Sequence, residues 1–309
     1  MTEKKEKTQF RCGMVSIVGR PNVGKSTLLN KIVGEKVAIV SKVPQTTRNQ
    51  IRGIYTDERG QIIFVDTPGV HRGQDQLDKF MNQSAYGIAN EADVIIHLVD
   101  ANDTVGPEEE ELVQRLNGLK VPVILGLNKV DLKGKTISQY LTLWEKVSGK
   151  PVQENPRLTL LPLSGKDGTN VNKLIDLVFE LLPEGQALYP KDTVCDIPQQ
   201  MVIADVIREK LYGLLQQELP HSIAVIIESI EPRQNKVKHI RALILVDRDS
   251  QKSIVISKGG QLLKKAGTLA RAELEGLLGS KIFLEIFVKS RKDWRDSPSL
   301  LQEMGYQFI

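Results

Sequence analysis

A glycine-rich segment of eight residues constrains this chain more than any other feature of its sequence. The residues Gly19-Arg20-Pro21-Asn22-Val23-Gly24-Lys25-Ser26 match the pattern Gly-x-x-x-x-Gly-Lys-Ser between an apolar run, Met14–Val18, and a helix-like stretch, Thr27–Val33. Such a loop wraps a phosphate chain with backbone N–H groups, and the helix behind it adds the positive end of its dipole. The sequence therefore predicts a nucleotide site in which Lys25 contacts the β- and γ-phosphates and Ser26 binds Mg²⁺.

A second phosphate motif, Asp66-Thr67-Pro68-Gly69, closes the apolar run Ile62–Val65. A carboxylate at the end of a buried strand lies close to the phosphate loop, so Asp66 is expected to hold Mg²⁺, and Gly69 offers an N–H to the γ-phosphate. These four residues alone would be an ordinary turn signal. Their position after a strand and downstream of the phosphate loop favours the functional interpretation.

The motif Asn128-Lys129-Val130-Asp131, after the run Val121–Leu127, predicts which base is bound. The Asp131 carboxylate can accept hydrogen bonds from N1–H and the N2 amine of guanine. Adenine has no N2 amine and its N1 is an acceptor, and an unpaired buried polar group costs about 1–3 kcal/mol. Asn128 and the Lys129 stem would brace the base, and Ser164-Gly165-Lys166 would supply a backbone N–H for O6. The ligand predicted is GTP or GDP.

Two polar segments are predicted to respond to the γ-phosphate. In Gln45-Thr46-Thr47-Arg48 a threonine could close onto Mg²⁺ only when that phosphate is present; Thr47 is preferred and Thr46 is the alternative. A solvated loop is the other interpretation of this segment. Residues 70–83 are predicted to form a second mobile segment. The candidate catalytic residues are therefore Lys25, Thr47 and Gly69, and the candidate metal ligands are Ser26, Thr47 and Asp66.

The ordered motifs resemble the translation-factor-related GTPases across residues 13–182. Ras-like proteins carry a water-orienting glutamine directly after their Asp-x-x-Gly motif, whereas this chain has Val70, so intrinsic hydrolysis is expected to be slow. In relatives that use potassium, an asparagine at the position of Asn22 helps to hold the ion. The resemblance therefore suggests K⁺ as a cofactor, and the alternative is that Asn22 only accommodates a tight turn.

The length of 309 residues suggests two domains. Nearly continuous apolar runs before residue 183 predict an α/β P-loop domain with a mostly parallel sheet and helices on both faces. The limits predicted are a frayed tail at 1–12, a GTPase domain at 13–182, a proline-rich linker at 183–198 and a second domain at 199–309. Without a secretion signal, a long apolar run or a metal-type cysteine spacing, the chain is expected to be cytoplasmic.

The second domain carries the whole basic excess of the chain. From Gln199 onward there are 17 Lys and Arg against 13 Asp and Glu, which equals the net charge of +4 for the full sequence. The elements predicted there are a helix over Gln200–Leu219, strands over Ser222–Glu231, Lys238–Val246 and Ser253–Ile256, a helix after Gly260, and a strand over Lys281–Val288. A modest positive excess fits a polyanionic partner without proving one.

This order of elements resembles an α+β KH domain of the prokaryotic type II arrangement. KH domains carry a Gly-x-x-Gly loop between two helices, over which an RNA backbone passes. Here the loop is Ser257-Lys258-Gly259-Gly260, with serine in place of the first glycine, and Lys264-Lys265 follows. The alternative is a strand-to-helix turn with a serine cap. Further candidate phosphate contacts lie around Trp294, which either stacks on a base or packs the last helix; they are Lys289, Arg291, Lys292 and Arg295.

A GTPase domain, a proline-rich linker and one terminal KH domain together resemble the bacterial Era family. The segments Lys292–Tyr306 and Ile207–Leu211 are similar to that family. The resemblance implies a monomeric assembly factor for the 30S ribosomal subunit that binds 16S-type small-subunit rRNA near its 3′ end when loaded with GTP. It also implies loose contact with the inner face of the cell membrane. A GTPase for large-subunit rRNA or tRNA, and an RNA-binding module whose nucleotide domain does not hydrolyse GTP, remain alternatives.

Overall fold

The computed structural model describes residues 9–41, 50–67, 75–132, 136–215, 219–233 and 237–304, and it divides the chain into two compact units. The first unit holds the described residues up to Asp196 except 39–41 and 75–80. Those two segments cluster with residues 197–304 in the second unit.

The first unit is built on a six-stranded sheet in the order β2-β3-β1-β4-β5-β6. All neighbouring strands are parallel except the β2–β3 pair, which confirms the predicted mostly parallel sheet. The strands are β1 (Arg11–Val18), β2 (Ile51–Asp57), β3 (Gly60–Asp66), β4 (Val94–Asp100), β5 (Val123–Asn128) and β6 (Leu158–Pro162). Strand β1 begins two residues before the predicted start of the domain, because Arg11 and Cys12 pair with Gly60 and Gln61.

Helices connect the strands of this sheet or follow the last of them. Before residue 197 they are α1 (Lys25–Val33), α2 (Gln76–Glu91), α3 (Pro107–Gly118), α4 (Ile137–Ser148) and α5 (Val171–Leu181). The acidic run Glu108–Glu111 lies in the first turns of α3, where the helix dipole favours negative charge. Leu112 and Val113 of α3 pack with Tyr140 and Trp144 of α4 in one buried cluster with β4 and β5.

The proline-rich segment after α5 is hydrogen-bonded to the first unit. Gln61 is fully buried, and its Oε1 accepts the N–H groups of Leu188 and Tyr189 at 2.8 and 2.9 Å. Its Nε2 donates to the Tyr189 carbonyl at 2.9 Å. Further along, Ile54 N–H donates to the Val194 carbonyl at 2.9 Å. The segment from 183 to 196 is therefore part of the packed structure of this unit.

The second unit contains a three-stranded sheet in the order β7-β8-β9, with β7 antiparallel and β9 parallel to β8. Residues of α6 and α8 pack on one face of the sheet, among them Ile207, Ala266 and Leu274 against Ile240 and Ile244. The elements are α6 (Gln199–Tyr212), β7 (Ala224–Pro232), β8 (Lys238–Val246), α7 (Asp249–Ile256), α8 (Gln261–Leu278), β9 (Ile282–Ser290) and α9 (Pro298–Glu303). The order agrees with the KH arrangement expected from the sequence.

Two predicted elements of this unit were wrong. Residues 253–256 belong to helix α7 and not to a strand, because a short apolar run does not distinguish the two and the helix is started by Gln251, whose Oε1 accepts the Arg248 N–H at 3.1 Å. Helix α6 ends at Tyr212, well before Pro220, and the Gly213 N–H closes it onto the Glu209 carbonyl at 3.1 Å.

Candidate functional site

The phosphate loop joins β1 to α1 in a conformation that requires its glycines. Gly19 and Gly24 have φ of 153° and 103°, and Asn22 lies in the left-handed region at φ 63°. A Cβ on Gly19 would lie 2.2 Å from the Leu98 carbonyl oxygen, and one on Gly24 would lie 2.4 Å from Asn128 Nδ2. The backbone of this loop therefore approaches its neighbours more closely than any residue with a side chain permits.

Lys25 begins α1 and is buried beneath the loop. Its Nζ donates to the carbonyl oxygens of Gly19 and Arg20 at 2.8 and 3.0 Å. Burial lowers the Lys25 pKa to about 8, against the opposing effect of Asp66 and Glu109. A phosphate oxygen is a stronger acceptor for an ammonium group than a carbonyl, so this cation is placed to exchange loop carbonyls for phosphate.

The two predicted metal ligands that the structure describes meet each other. Ser26 Oγ donates to Asp66 Oδ2 at 2.7 Å, and Asp66 is fully buried at the end of β3. Beside it, Thr67 Oγ1 donates to the Ile17 carbonyl at 2.9 Å, which ties the end of β3 to β1. A hydroxyl and a carboxylate are the hard oxygen donors that Mg²⁺ prefers, so these residues fit the ion.

Several predicted site residues lie outside the described part of the chain. They are Thr46, Thr47, Pro68 and Gly69, together with residues 70–74 of the predicted second mobile segment. Of the remainder of that segment, residues 76–83 form the first turns of helix α2.

The Arg20 side chain is bound by residues just before and at the start of α3. Its guanidinium donates to the Thr104 carbonyl at 3.1 Å and pairs with Asp103 at 3.4 Å and Glu108 at 3.6 Å, at the start of α3. Its predicted contribution to phosphate binding therefore rests on its backbone. The side chain instead fixes the phosphate loop to the neighbouring helix.

Asn128, at the end of β5, joins two loops of the site. Its Nδ2 donates to the Val23 carbonyl in the phosphate loop at 2.7 Å, and its Oδ1 accepts the Gly165 N–H at 2.9 Å. Asn128 and Gly165 are both buried. One amide side chain thus fixes the spacing between the phosphate loop and the Ser164–Lys166 loop.

Lys129 is held by a carboxylate that the sequence analysis did not identify. Its Nζ lies 2.7 Å from Asp100 Oδ2 and donates to the Asn22 carbonyl at 2.7 Å. The other oxygen of Asp100 accepts the Asn102 N–H at 2.9 Å, and Asn102 Nδ2 donates to the Lys129 carbonyl at 3.0 Å. Burial acts to raise the pKa of Asp100, but hydrogen bonds from Lys129 and Asn102 lower it overall. The position of Asp100 at the carboxyl end of a parallel strand was the signal that could have found it.

Asp131 is exposed, as a base-reading carboxylate must be, and one of its oxygens is fixed. Asp131 Oδ1 accepts a hydrogen bond from the fully buried Ser164 hydroxyl at 2.8 Å. The structure therefore gives Ser164 a role that the sequence did not suggest, which is to orient the carboxylate. Lys166, the last residue of this loop, is exposed.

In the second unit, the Ser257–Gly260 loop joins helices α7 and α8. Ser257 has φ 66° and ψ 175°, and Gly259 and Gly260 have φ of 63° and 71°. The Ser257 hydroxyl accepts the Leu262 N–H at 2.9 Å and so caps α8 from five residues upstream. The loop thus joins two helices, as in a KH domain, while its serine also performs the capping role of the alternative interpretation.

A groove of about 380 Å³ runs from this loop between α8 and β9. Its lining residues are Gly260, Leu263, Lys264, Gly267, Thr268 and Arg271 from α8, and Phe283, Leu284 and Ile286 from β9. Of these residues, only Gly260 and Lys264 were predicted from the sequence. The small residues Gly260, Gly267 and Thr268 on the helix side were the sequence signal that could have indicated a groove against the following strand. The exposed cations nearby in the chain are Lys258, Lys264, Lys265, Lys289, Arg291 and Lys292.

The predicted phosphate contact through Arg295 is not supported. Its guanidinium pairs with Asp75 at 2.5 Å and Asp78 at 3.1 Å, within the second unit, so its charge is already matched. Trp294 is fully buried and donates its Nε1–H to the Ser222 carbonyl at 3.2 Å. The packing interpretation of Trp294 is therefore the right one, and stacking on a base is excluded by its burial.

None of the helices in the described residues is long and apolar enough to cross a membrane.

Comparisons with known proteins agree with both sites. A family of 50S ribosome-binding GTPases matches residues 14–129, and the KH domain family matches residues 218–295. GTPase Era of Halothermothrix orenii is 44% identical over 96% of this chain and 99% of the relative. GTPase Era of Geobacter sp. strain M21 is 45% identical over 99% of this chain and 100% of the relative.

Solved structures match the whole chain as well. A variant of Aquifex aeolicus Era bound to GDP and AlF4⁻ superimposes with a TM-score of 0.89 at 38% identity, over 97% of this chain and 100% of that one. A crystal structure of Era in complex with MgGDPNP and nucleotides 1506–1542 of 16S ribosomal RNA matches with the same score, identity and coverage.

Proposed function

Since this chain belongs to the Era family of GTPases, we propose that it is a GTP-driven switch that binds 16S-type small-subunit rRNA near its 3′ end and assists assembly of the 30S subunit. One observation carries the proposal. A 38% identical Era matches 97% of this chain in a complex with MgGDPNP and nucleotides 1506–1542 of 16S rRNA. The guanine-type motifs Asn128–Asp131 and Ser164–Lys166, and a KH loop beside a groove, support the proposal in this chain.

The nucleotide is proposed to bind across the carboxyl ends of β1, β3 and β5. Gly19 to Thr27 wrap the phosphates, with the Lys25 ammonium on the β- and γ-phosphates. Asp131 reads the guanine N1–H and N2 amine, while Ser164 holds its carboxylate in place at 2.8 Å. Asn128 and Lys129 set the width of the base site, and the Ser164–Lys166 loop contributes a backbone N–H for O6.

Mg²⁺ is proposed to lie beside Ser26 and Asp66, where it would neutralise charge on the β- and γ-phosphate oxygens. Thr47 is preferred over Thr46 as the third ligand, and the Gly69 N–H would complete the γ-phosphate contacts. Val70 has no hydrogen-bonding side chain to orient the attacking water, so the intrinsic turnover is slow. K⁺ held near Asn22 would add positive charge at the leaving phosphates; equal turnover in K⁺ and in Na⁺ would contradict that role.

GTP hydrolysis is proposed to release the RNA. Residues 13–182 are the GTPase domain and 199–309 the RNA-binding domain of a monomer that works in the cytoplasm, and the proline-rich segment between them packs with the first unit as far as Asp196. A peripheral contact with the inner face of the cell membrane is part of the same proposal. RNA affinity should be higher with a GTP analogue than with GDP, and equal affinities would defeat the switch.

The experiment that tests the function is crosslinking in cells followed by sequencing of the bound RNA. The wild type should yield reads concentrated at the 3′ end of small-subunit rRNA. A Lys264→Glu variant, which reverses a charge in the groove, should lose them while retaining GTP binding. Reads on large-subunit rRNA or tRNA would favour a GTPase that acts on one of those RNAs. Absence of GTP turnover with RNA and K⁺ present would favour an RNA-binding module whose nucleotide domain does not hydrolyse GTP.

A further inference from the structure

On the face opposite the α6 and α8 core, the edge strand β9 of the second unit carries two exposed aromatic rings. Ile240 and Ile244 of β8 and Val288 of β9 belong to the core that α6 and α8 cover. Since side chains alternate along a strand, the residues between them face the opposite side. On that side Phe283 and Phe287 of β9 are 45% and 43% exposed.

Each of these two rings lies next to an arginine. The Arg233 guanidinium carbon is 4.7 Å from the ring centre of Phe283, and that of Arg241 is 5.6 Å from the ring centre of Phe287. The His239 ring lies 5.2 Å from Phe283 on the neighbouring strand. We call Phe283, Phe287, Arg233 and Arg241 the aromatic stripe. Guanidinium planes stacked on rings enlarge the flat area available to a base and place positive charge beside it.

Two acidic residues lie on the face of the stripe, Glu231 and Glu285; by the strand register the exposed Glu231 lies opposite His239. Glu285 lies between the two phenylalanines on β9, and its Oε2 is 2.5 Å from His239 Nε2 and 4.0 Å from Arg241 Nε. The exposed Lys289 follows Phe287 on the same face of the strand. On this face Arg233, Arg241 and Lys289 outnumber Glu231 and Glu285, so the balance of charge favours an anionic partner with flat apolar groups, which describes single-stranded RNA.

Phe283 connects the stripe to the groove, because it also lines the groove between α8 and β9. A strand rises about 3.3 Å per residue, so positions 283 and 287 lie roughly 13 Å apart on one face. That spacing exceeds the distance between stacked neighbouring bases, so each ring would take a base of its own. Phosphates between those bases would then face Arg241 and Lys289.

We propose that the aromatic stripe is a second RNA-binding surface, which takes the single-stranded nucleotides that leave the groove across the edge strand β9. The inference rests on the proposed RNA-binding function and extends it beyond the nucleotides that the Ser257–Gly260 loop can hold. A KH loop clamps about four nucleotides, so the stripe adds affinity only for longer RNA.

The test compares how tightly the full-length protein, loaded with GDPNP, binds long and short RNAs. The probes are nucleotides 1506–1542 of 16S rRNA and four-nucleotide fragments that tile it, and fluorescence anisotropy at fixed salt gives each Kd. Phe287→Ala should weaken binding of the long RNA about fivefold or more, since stacking on one aromatic ring contributes about that much. The tightest four-nucleotide fragment should bind the variant and the wild type equally.

Three further variants separate stacking from damage to the fold. Phe287→Leu keeps an apolar side chain and should lose as much long-RNA affinity as Phe287→Ala. Arg241→Ala should reduce the slope of log Kd against log salt by about one. Leu277→Ala on α8 removes an apolar side chain of similar exposure, 44%, and should change neither Kd.

Two outcomes would overturn the inference. If Phe287→Ala binds every RNA as tightly as the wild type, the stripe is not a binding surface and the groove alone accounts for the affinity. If the wild type binds none of the probes, the proposed RNA function fails and the inference fails with it. The four-nucleotide fragments distinguish these outcomes, since they report on the groove alone.

Discussion

Ser257→Gly should leave the second unit more stable than Ser257→Ala, which reverses the order found in regular structure. Ser257 has φ 66° and ψ 175°, a region that is essentially restricted to glycine and costs other residues about 1–3 kcal/mol. Both variants lose the hydroxyl that accepts the Leu262 N–H, so that loss cancels in the comparison. Glycine relieves the strain but gives up about 0.5–1 kcal/mol to the greater freedom of its unfolded chain.

The difference expected is about 1 kcal/mol in favour of glycine, once the entropy of the unfolded chain is subtracted from the strain. A chain with two compact units need not unfold in one step, so the free energy of opening should be measured by hydrogen exchange of the β8 and β9 amides. Those amides should exchange about fivefold faster in Ser257→Ala than in Ser257→Gly.

A matched control lies four residues upstream. Ser253 is an exposed residue inside helix α7, where the backbone is regular. There alanine should be the better replacement by about 1 kcal/mol, as helix propensity requires. If Ser257→Ala protects the sheet amides as well as Ser257→Gly does, the backbone at this position is not strained and the reasoning is refuted.

Two other substitutions test the nucleotide site, and a third tests the stability of the second unit. Asn128→Ala leaves the Val23 carbonyl and the Gly165 N–H without their partner, and each unpaired group costs about 1–3 kcal/mol of free energy. The Kd for GDP, measured by calorimetry, should therefore rise at least tenfold. The control Asn117→Ala on α3 should leave this Kd unchanged. Asp100→Asn removes the charge that holds Lys129 at 2.7 Å and should weaken GTP and GDP about equally, by roughly fivefold, and an effect on GTP alone would argue against a role at the base. Burial raises the pKa of the Asp247 carboxyl, so the folded protein keeps this proton to higher pH than the unfolded chain does. The free energy of unfolding therefore falls as pH rises from the pKa of the unfolded chain through the higher pKa of the folded protein. Asp247→Asn should therefore be more stable than the wild type at pH 7 and equally stable below about pH 4, as measured by hydrogen exchange of the β8 amides; a constant difference at all pH values would exclude this carboxyl as the cause.

The sequence predicted the nucleotide site well because its chemistry is local. Each motif combines a buried strand with a turn that directly follows it, and the parallel sheet then brings those turns to one edge. Thus Ser26 and Asp66, which are 40 positions apart, are joined by a hydrogen bond of 2.7 Å. Only the fold brings the serine to the aspartate, but the alternation of apolar runs and polar turns was enough to predict that it would.

Contacts made by solitary residues could not be predicted in this way. Asp100 is one carboxylate among many in the sequence, and its pairing with Lys129 depends on the register between β4 and β5. The sequence predicted that Arg295 would contact phosphate, but in the structure it forms ion pairs with Asp75 and Asp78. The identity of a residue states which bonds it can make, whereas tertiary structure decides which of them it does make.

Helix α7 shows the same limit at the level of secondary structure. The run Ser253–Ile256 is apolar and β-branched enough to indicate a strand, but the Ser257 N–H donates to the Ser253 carbonyl at 2.9 Å, which closes a helical turn over these residues. The KH resemblance already implied a helix on each side of the Ser257–Gly260 loop. The topology of the family therefore carried information that local propensity did not.

The buried Gln61 side chain has a practical consequence for dissecting this protein. Composition suggests cutting the chain where prolines begin, at Pro183, but a nucleotide-binding fragment ending at Leu182 would remove every backbone group that Gln61 contacts on Leu188 and Tyr189. A fully buried amide would then face a gap in place of three hydrogen bonds. A cut after Asp196 keeps the partners of this amide. The segment that resembles a linker in the sequence is therefore needed in any fragment that is to contain an intact first unit.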